Sequence, residues 1–396
     1  MSPGSKSKEL DIDRKSSISV NFRLRVINEG QSFVLVTNDG MIYEYMNIEN
    51  VWFSIKHENP LVMKGAVGSY NGSLFLVNEN KDLVMAERVG TEMTWTNCSG
   101  LKKGRQVIGG PPWDVATSKA TKVTPEDSMF FISKSGGLLQ LTVALQKLKW
   151  KDCRKPSNTK IASIVDQEVF RENIVFVVGT DGHLYQYNKV TGLWHGHRQS
   201  PHMVLSRQLG TAMRGSQQSL SGSLFMISEE GRLIEYYWNP IEGWGWVEHG
   251  SPCLGVTLVG STGPCLAGNQ LFLVGSDGNV YLRFWDHTIW KWSDYGFPSN
   301  GNIVGVNHEK EEVCIDQEMQ VKTHKEYKKE TETDNCDPKV APTRPVPFTE
   351  NSVIFELRDG RLAEMQRAED LQWVWWRTIK TPTTRCNTIY WTAAAS

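Results

Sequence analysis

Residues 175–185 read Val175-Phe176-Val177-Val178-Gly179-Thr180-Asp181-Gly182-His183-Leu184-Tyr185: an aliphatic run, an Asp-Gly turn and the start of a second apolar run. Asp-Gly between apolar runs is a strong hairpin signal, because the tight turns that match strand twist need positive φ and Gly supplies it without a Cβ clash. The same pattern returns as Phe33-Val34-Leu35-Val36-Thr37-Asn38-Asp39-Gly40-Met41-Ile42-Tyr43 and as Leu271-Phe272-Leu273-Val274-Gly275-Ser276-Asp277-Gly278-Asn279-Val280-Tyr281. Short strands recurring at a period of tens of residues predict a β-propeller.

Aligning the copies on their turn residue gives seven. The turn glycines are Gly40, Gly136, Gly182, Gly231, Gly278 and Gly360, with Lys81 in the place of a degenerate copy. Two residues on stand Ile42, Leu83, Leu138, Leu184, Leu233, Val280 and Leu362, all aliphatic. Each copy then carries a Trp, at Trp52, Trp95, Trp150, Trp194, Trp246, Trp292 and Trp376, and in six a Pro follows, at Pro60, Pro156, Pro201, Pro252, Pro298 and Pro382. A large aromatic at a fixed offset fills the wedge between blades, and Pro ends a strand because it cannot donate to the ladder. Most of the 15 tryptophans are therefore assigned to folding.

The fold class expected is all-β: a single seven-bladed propeller over 20–396, behind a flexible N-terminal arm at 1–19. Blades fall near 20–62, 63–104, 105–158, 159–203, 204–254, 255–300 and 301–384. The tail 385–396, Cys386-Asn387-Thr388-Ile389-Tyr390-Trp391-Thr392 within it, reads as a strand that closes the ring on blade 1 and hides open edges. Val20-Asn21-Phe22-Arg23-Leu24-Arg25-Val26 competes for the same slot. Residues 307–350 break the repeat with Glu309-Lys310-Glu311-Glu312, Lys328-Lys329-Glu330 and Pro338, Pro342, Pro345 and Pro347. Their composition predicts a charged, disordered insertion between the first two strands of blade 7.

Composition narrows the partners. With 43 basic and 44 acidic residues, a formal net charge of −1 gives no electrostatic case for nucleic acid or an anionic membrane. No stretch approaches the ~18 consecutive apolar residues of a spanning helix. The start, Met1-Ser2-Pro3-Gly4-Ser5-Lys6-Ser7-Lys8-Glu9, lacks the apolar core of a secretory signal, which favours a cytoplasmic or nuclear setting unless a leader was removed. The seven cysteines show no zinc-ligand or redox spacing; only Cys314 and Cys336, flanking the charged segment, suggest a bridge in an oxidising compartment. No cofactor is expected.

One repeat position carries chemistry that folding alone does not explain. Four residues after the turn stand Glu44, Met85, Gln140, Gln186, Glu235, Leu282 and Glu364, on the strand face of the aliphatic residue two places earlier. A carboxylate there must find partners or stay near water. It reads either as a structural link between blades or as a ligand acceptor in an interblade groove.

The fifth copy, Glu229-Glu230-Gly231-Arg232-Leu233-Ile234-Glu235-Tyr236-Tyr237-Trp238 with Gly243-Trp244-Gly245-Trp246, resembles the repeat of fucose-lectin-like and tachylectin-like propellers. In fucose-binding members the Glu accepts sugar hydroxyls, an Arg on the preceding strand donates to the sugar and an aromatic stacks on its apolar face. The resemblance implies Glu44, Glu235 and Glu364 as acceptors and Trp238, Trp244 or Trp285 as stacking platforms for a glycan or glycoprotein. The pattern departs at the Arg, where this chain has Ser32, Ser223 and Ser352.

Other constellations are weaker. His195-Gly196-His197 with His202 suggests a metal, but His197 aligns with His57 and His249 as a residue of the turn after the Trp. No Gly-x-Ser-x-Gly elbow occurs, and the Asp-Gly aspartates are explained by their turns, so no enzyme is expected. The function expected is a lectin-like module binding a glycan in interblade grooves, with a protein-interaction scaffold that binds no sugar as the alternative.

Overall fold

The computed structural model describes residues 16–22, 31–37, 41–48, 51–58, 63–70, 73–80, 82–89, 92–98, 107, 115–118, 126–144, 147–165, 173–208, 210–214, 222–263, 265–266, 270–299, 303–304, 306–308, 337–349, 351–379 and 381. Strands in these residues form seven sheets, each built on antiparallel neighbours, which are the seven blades of one propeller. Blade 5 shows the plan, with Thr211–Arg214 innermost, then Gly222–Ile227, Leu233–Asn239 and Gly243–Gly250 at the outer edge.

The turn glycines meet two demands at once. Gly231 has φ +75, and a Cβ on it would lie 2.6 Å from Thr257 Cβ, where the chain enters blade 6. Its carbonyl accepts the Leu258 N–H at 2.8 Å, so the hairpin turn of one blade receives the first strand of the next. The same bond joins Gly136 to Ile161, Gly182 to Leu205 and Gly278 to Val340. Blade-to-blade docking is thus written into the turn, not only into the core.

Apolar cores fill the wedges between successive blades. Phe130 and Tyr187 meet between blades 3 and 4, Phe176 and Tyr236 between 4 and 5, and Phe272 and Phe355 between 6 and 7. Tyr45 and Trp52 of blade 1 pack with Val346, Phe348 and Ile354 of blade 7, which closes the ring. Burying an aromatic of this size contributes roughly 2–3 kcal/mol. The outer-strand tryptophans add a polar tie: the indoles of Trp150, Trp194, Trp246 and Trp375 donate to the carbonyls of Cys98, Cys153, Arg198 and Tyr295 in the preceding blade.

Three expectations change. The wedge Trp of blade 7 is Trp375, not Trp376, which is 48% exposed. A register shift between Glu364 and Met365 displaces the outer strand by one place, and one place reverses the facing of every side chain. At the ring seam, Ser16–Phe22 pairs antiparallel with Gln31–Thr37 and takes the innermost place of blade 1, so strand begins inside the expected arm. The tail 385–396 lies outside the described residues.

Blade 7 also starts later than the repeat count implied. Val340 makes the bond to Gly278 that marks a new blade and bridges Leu357, and Val346–Thr349 pairs with Ser352–Glu356. Residues 337–349, placed by composition in the insertion, therefore belong to the blade. Upstream, Ile303–Val304 pairs parallel with the outer strand of blade 7 and Val306–His308 with that of blade 1, a strap across the seam. Lys81, Cys314 and Cys336 lie outside the described residues.

Candidate functional site

The recurrent Glu or Gln sits on the third strand of its blade, and its partners recur with it. Glu235 is 8% exposed; Ser223 Oγ donates to its Oε1 and His249 Nε2 lies 2.8 Å from its Oε2. Arg283 Nη2 of the next blade lies 3.0 Å from His249 Nδ1. A guanidinium can only donate, so Nδ1 must accept, which leaves the imidazole proton on Nε2 for the carboxylate. The chain Arg283, His249, Glu235, Ser223 is closed, with both carboxylate oxygens taken. Arg283 lies over the Trp292 ring at 4.9 Å, and burial draws its pKa down to about 10 against the pull of Glu235.

Glu364 is 1% exposed. Its Oε1 accepts from Ser352 Oγ at 2.6 Å and Gln366 Nε2 at 2.9 Å, and its Oε2 from Arg377 Nε. The Arg377 guanidinium lies over Trp52 of blade 1 at 5.1 Å. Glu44 is fully buried with Oε2 2.8 Å from His57 Nε2. Where the position holds Gln, the geometry persists: Gln186 Oε1 lies 3.1 Å from His197 Nε2, and Gln140 Nε2 donates to Ser128 Oγ at 2.8 Å.

The expected acceptors are therefore built into links between strands and blades. A serine precedes them where the sugar-binding pattern has Arg, and in blades 5 and 7 that serine donates to the carboxylate itself. The signal that sequence reading missed lies in spacing. Glu44 and His57 are 13 residues apart, Gln186 and His197 are 11, Glu235 and His249 are 14, and Glu364 and Arg377 are 13. The post-Trp histidines and the recurrent carboxylates are two halves of one repeated pair.

His197 is the most perturbed member. Its ring lies between Gln186 and the Tyr236 hydroxyl, 2.6 Å from Nδ1, and burial lowers its pKa to about 4. That leaves an uncharged structural imidazole at neutral pH. Among the described residues no group of three His, Cys, Asp or Glu side chains is placed to hold a metal.

The three expected stacking platforms are half-buried. Trp244 stacks on Tyr236 with ring centroids 4.6 Å apart and planes 3° from parallel, so one of its faces is used internally. Trp238 packs on Trp244 at 5.3 Å, and Trp285 on Trp290 at 5.7 Å. Trp238 and Trp285 hold the same repeat position in blades 5 and 6. The structure brings Trp238 and Trp244 together on blade 5 and leaves Trp285 on blade 6.

Neither a protein-family model nor a curated protein matches the sequence. Among solved structures, the chain is similar to the BP39L lectin from Burkholderia pseudomallei, at 15% identity over 93% of this chain and 99% of the lectin, with a TM-score of 0.55. The fold is that of a β-propeller. A similar likeness, 11% identity over 91% of this chain and 95% of the other with a TM-score of 0.52, links it to BBS1N, solved in complex with ARL6DN. At these identities the BP39L lectin and BBS1N share only an architecture with this chain, and ligand choice rests on its own residues. Among the described residues, no helix is long and apolar enough to cross a membrane.

Proposed function

We propose that this propeller is a non-enzymatic protein-interaction scaffold. The observation that carries the proposal is the burial of Glu44, Glu235 and Glu364 at 0%, 8% and 1% exposure, with partners supplied from inside the protein. A sugar hydroxyl reaching any of them would have to displace a hydrogen bond in a wedge that the neighbouring blade fills. Partners of propellers bind at loops and strand ends, which here are left for a protein surface.

A second reading, glycan binding, draws on one feature: Trp238 and Trp285 repeat a half-buried indole at one position of two consecutive blades. Repetition of a platform favours avidity toward a multivalent ligand. A glycan array probed with the folded chain, beside affinity capture with stoichiometry measured by mass, separates the two. The scaffold reading expects a blank array and a stoichiometric protein. Saturable glycan binding abolished by Trp238→Ala and Trp285→Ala would replace it with the lectin reading.

A further inference from the structure

In blades 4 to 7 the turn joining the third and fourth strands lies on one face of the ring, at its circumference, because these blades share one strand order and blades 4 to 6 each dock on the next through the same turn. In blades 4 to 7 these outer turns share an unusual property. Each holds an aliphatic side chain in solvent: Leu193 is 68% exposed, Ile241 92%, Ile289 57% and Leu371 61%. Turn tips are normally polar or Gly, and single exposed apolar residues need no explanation. Here the same turn carries one in four consecutive blades, 11 residues after the turn glycine in blades 4, 6 and 7 and 10 in blade 5, which makes a row around the rim.

The row is held in place. Asn188 Oδ1 accepts from the Val190 and Thr191 N–H groups, Asn239 Oδ1 from Ile241 N and Asp286 Oδ1 from Ile289 N. Leu371 stands at φ +67 with its N–H on the Ala368 carbonyl. Side chains displayed on fixed backbone lose less entropy on docking than those on loose loops.

Charge sets the partner's chemistry. Glu242, Glu369 and Asp370 flank the row and are exposed. Of the nearby cations, Lys291 pairs with Asp286, and Arg367, whose Nε reaches the Leu371 carbonyl, keeps its charge against the three carboxylates. With the whole chain at −1, the excess of acid is local to the turns of blades 5 and 7. An anionic bilayer would be repelled by it.

We infer that the outer-turn rim of blades 4 to 7 is the scaffold's docking face, and that its partner is a protein surface presenting aliphatic side chains flanked by Lys or Arg. This rests on the scaffold reading and gives it a place. The apolar row supplies burial, and the acids supply orientation and encounter rate.

The test uses the full chain and two labelled synthetic helical peptides with one Leu pattern, their polar positions filled by Lys in one and Glu in the other. Anisotropy should show saturable binding of the Lys peptide, weakened at least about tenfold by the combined variant Leu193→Ser, Ile241→Ser, Ile289→Ser and Leu371→Asn and by added salt. The Glu peptide should not bind. Equal binding of both peptides, or Lys-peptide binding that the variant leaves unchanged, would overturn the rim. So would co-sedimentation with phosphatidylserine vesicles that the variant abolishes. All four positions are exposed, so the variant should keep its urea midpoint. If it still captures the wild-type protein's stoichiometric partner at full yield, the scaffold reading survives and the rim fails.

Discussion

Replacing Glu364 by Gln tests whether the recurrent carboxylate is part of the frame. The substitution keeps the side chain's shape and removes its charge. Glu364 and Arg377 are 1% and 6% exposed, and Arg377 Nε donates to Glu364 Oε2. For unit charges about 4 Å apart, the attraction is about 4 kcal/mol at an effective dielectric near 20. Breaking a buried pair from one side costs about 3–5 kcal/mol, because the remaining charge keeps its desolvation penalty. Urea unfolding followed by tryptophan fluorescence should show a midpoint lowered by that much divided by an unchanged slope. The double variant Glu364→Met with Arg377→Met should recover most of the loss, since apolar replacement of a buried pair is often neutral or better. Glu248→Gln, which breaks the half-exposed pair with Arg232, is the control and should leave the midpoint within error. A Glu364→Gln cost below about 1 kcal/mol would refute the reasoning, since only a hydrated carboxylate would be that cheap to neutralise. The wedge between blades 7 and 1 would then be open to a ligand.

Three further outcomes follow from the geometry. His197 has its pKa lowered from 6.5 to about 4, so below pH 6.5 the unfolded chain binds a proton that the folded one refuses; its contribution is whole above pH 6.5, falls as pH drops toward 4 and amounts to about 3 kcal/mol. Urea midpoints at stepped pH should show that slope in the wild type and a shallower one in His197→Gln. Trp375→Ala should cost about 3–5 kcal/mol by urea titration and Trp376→Ala under about 1, the reverse of the order that the repeat alignment gives. Gly231→Ala should destabilise more than Gly250→Ala in thermal melts: both have positive φ, but only at Gly231 would the new Cβ meet the next blade, at 2.6 Å.

The fold was legible because its determinants are local. Asp-Gly turns, the aliphatic residue two places on and the outer-strand Trp each report one strand's geometry, and seven copies multiply a weak signal. The seam was less legible because it is settled between segments far apart in the chain. Whether Ser16–Phe22 or the tail takes the innermost place of blade 1, and whether 303–308 lies along two outer edges, depends on pairings that local patterning does not encode. Blade 7 was misread for a related reason. Pro338, Pro342, Pro345 and Pro347 suggested unstructured chain, yet Val340 and Val346 supply contacts that apolar counting over a charged window hides.

The carboxylate position shows why sites are harder to read than folds. A Glu on an apolar strand face looks the same in sequence whether it awaits a ligand or holds the next strand. The difference lies in its partner, 13 residues on for Glu44 and Glu364 and 14 for Glu235, where His57, Arg377 and His249 fill the place that a ligand would take. The Ser that replaces Arg on the preceding strand fits the same logic. A small hydroxyl satisfies one carboxylate oxygen without opening space, whereas an Arg there would add a second buried cation. In blade 7 it would face Arg377, and in blade 5 it would join Arg283 and His249 around one carboxylate. The serine and the buried partner thus act together: between them they occupy both oxygens of Glu235 and of Glu364 and tie each carboxylate into its own blade.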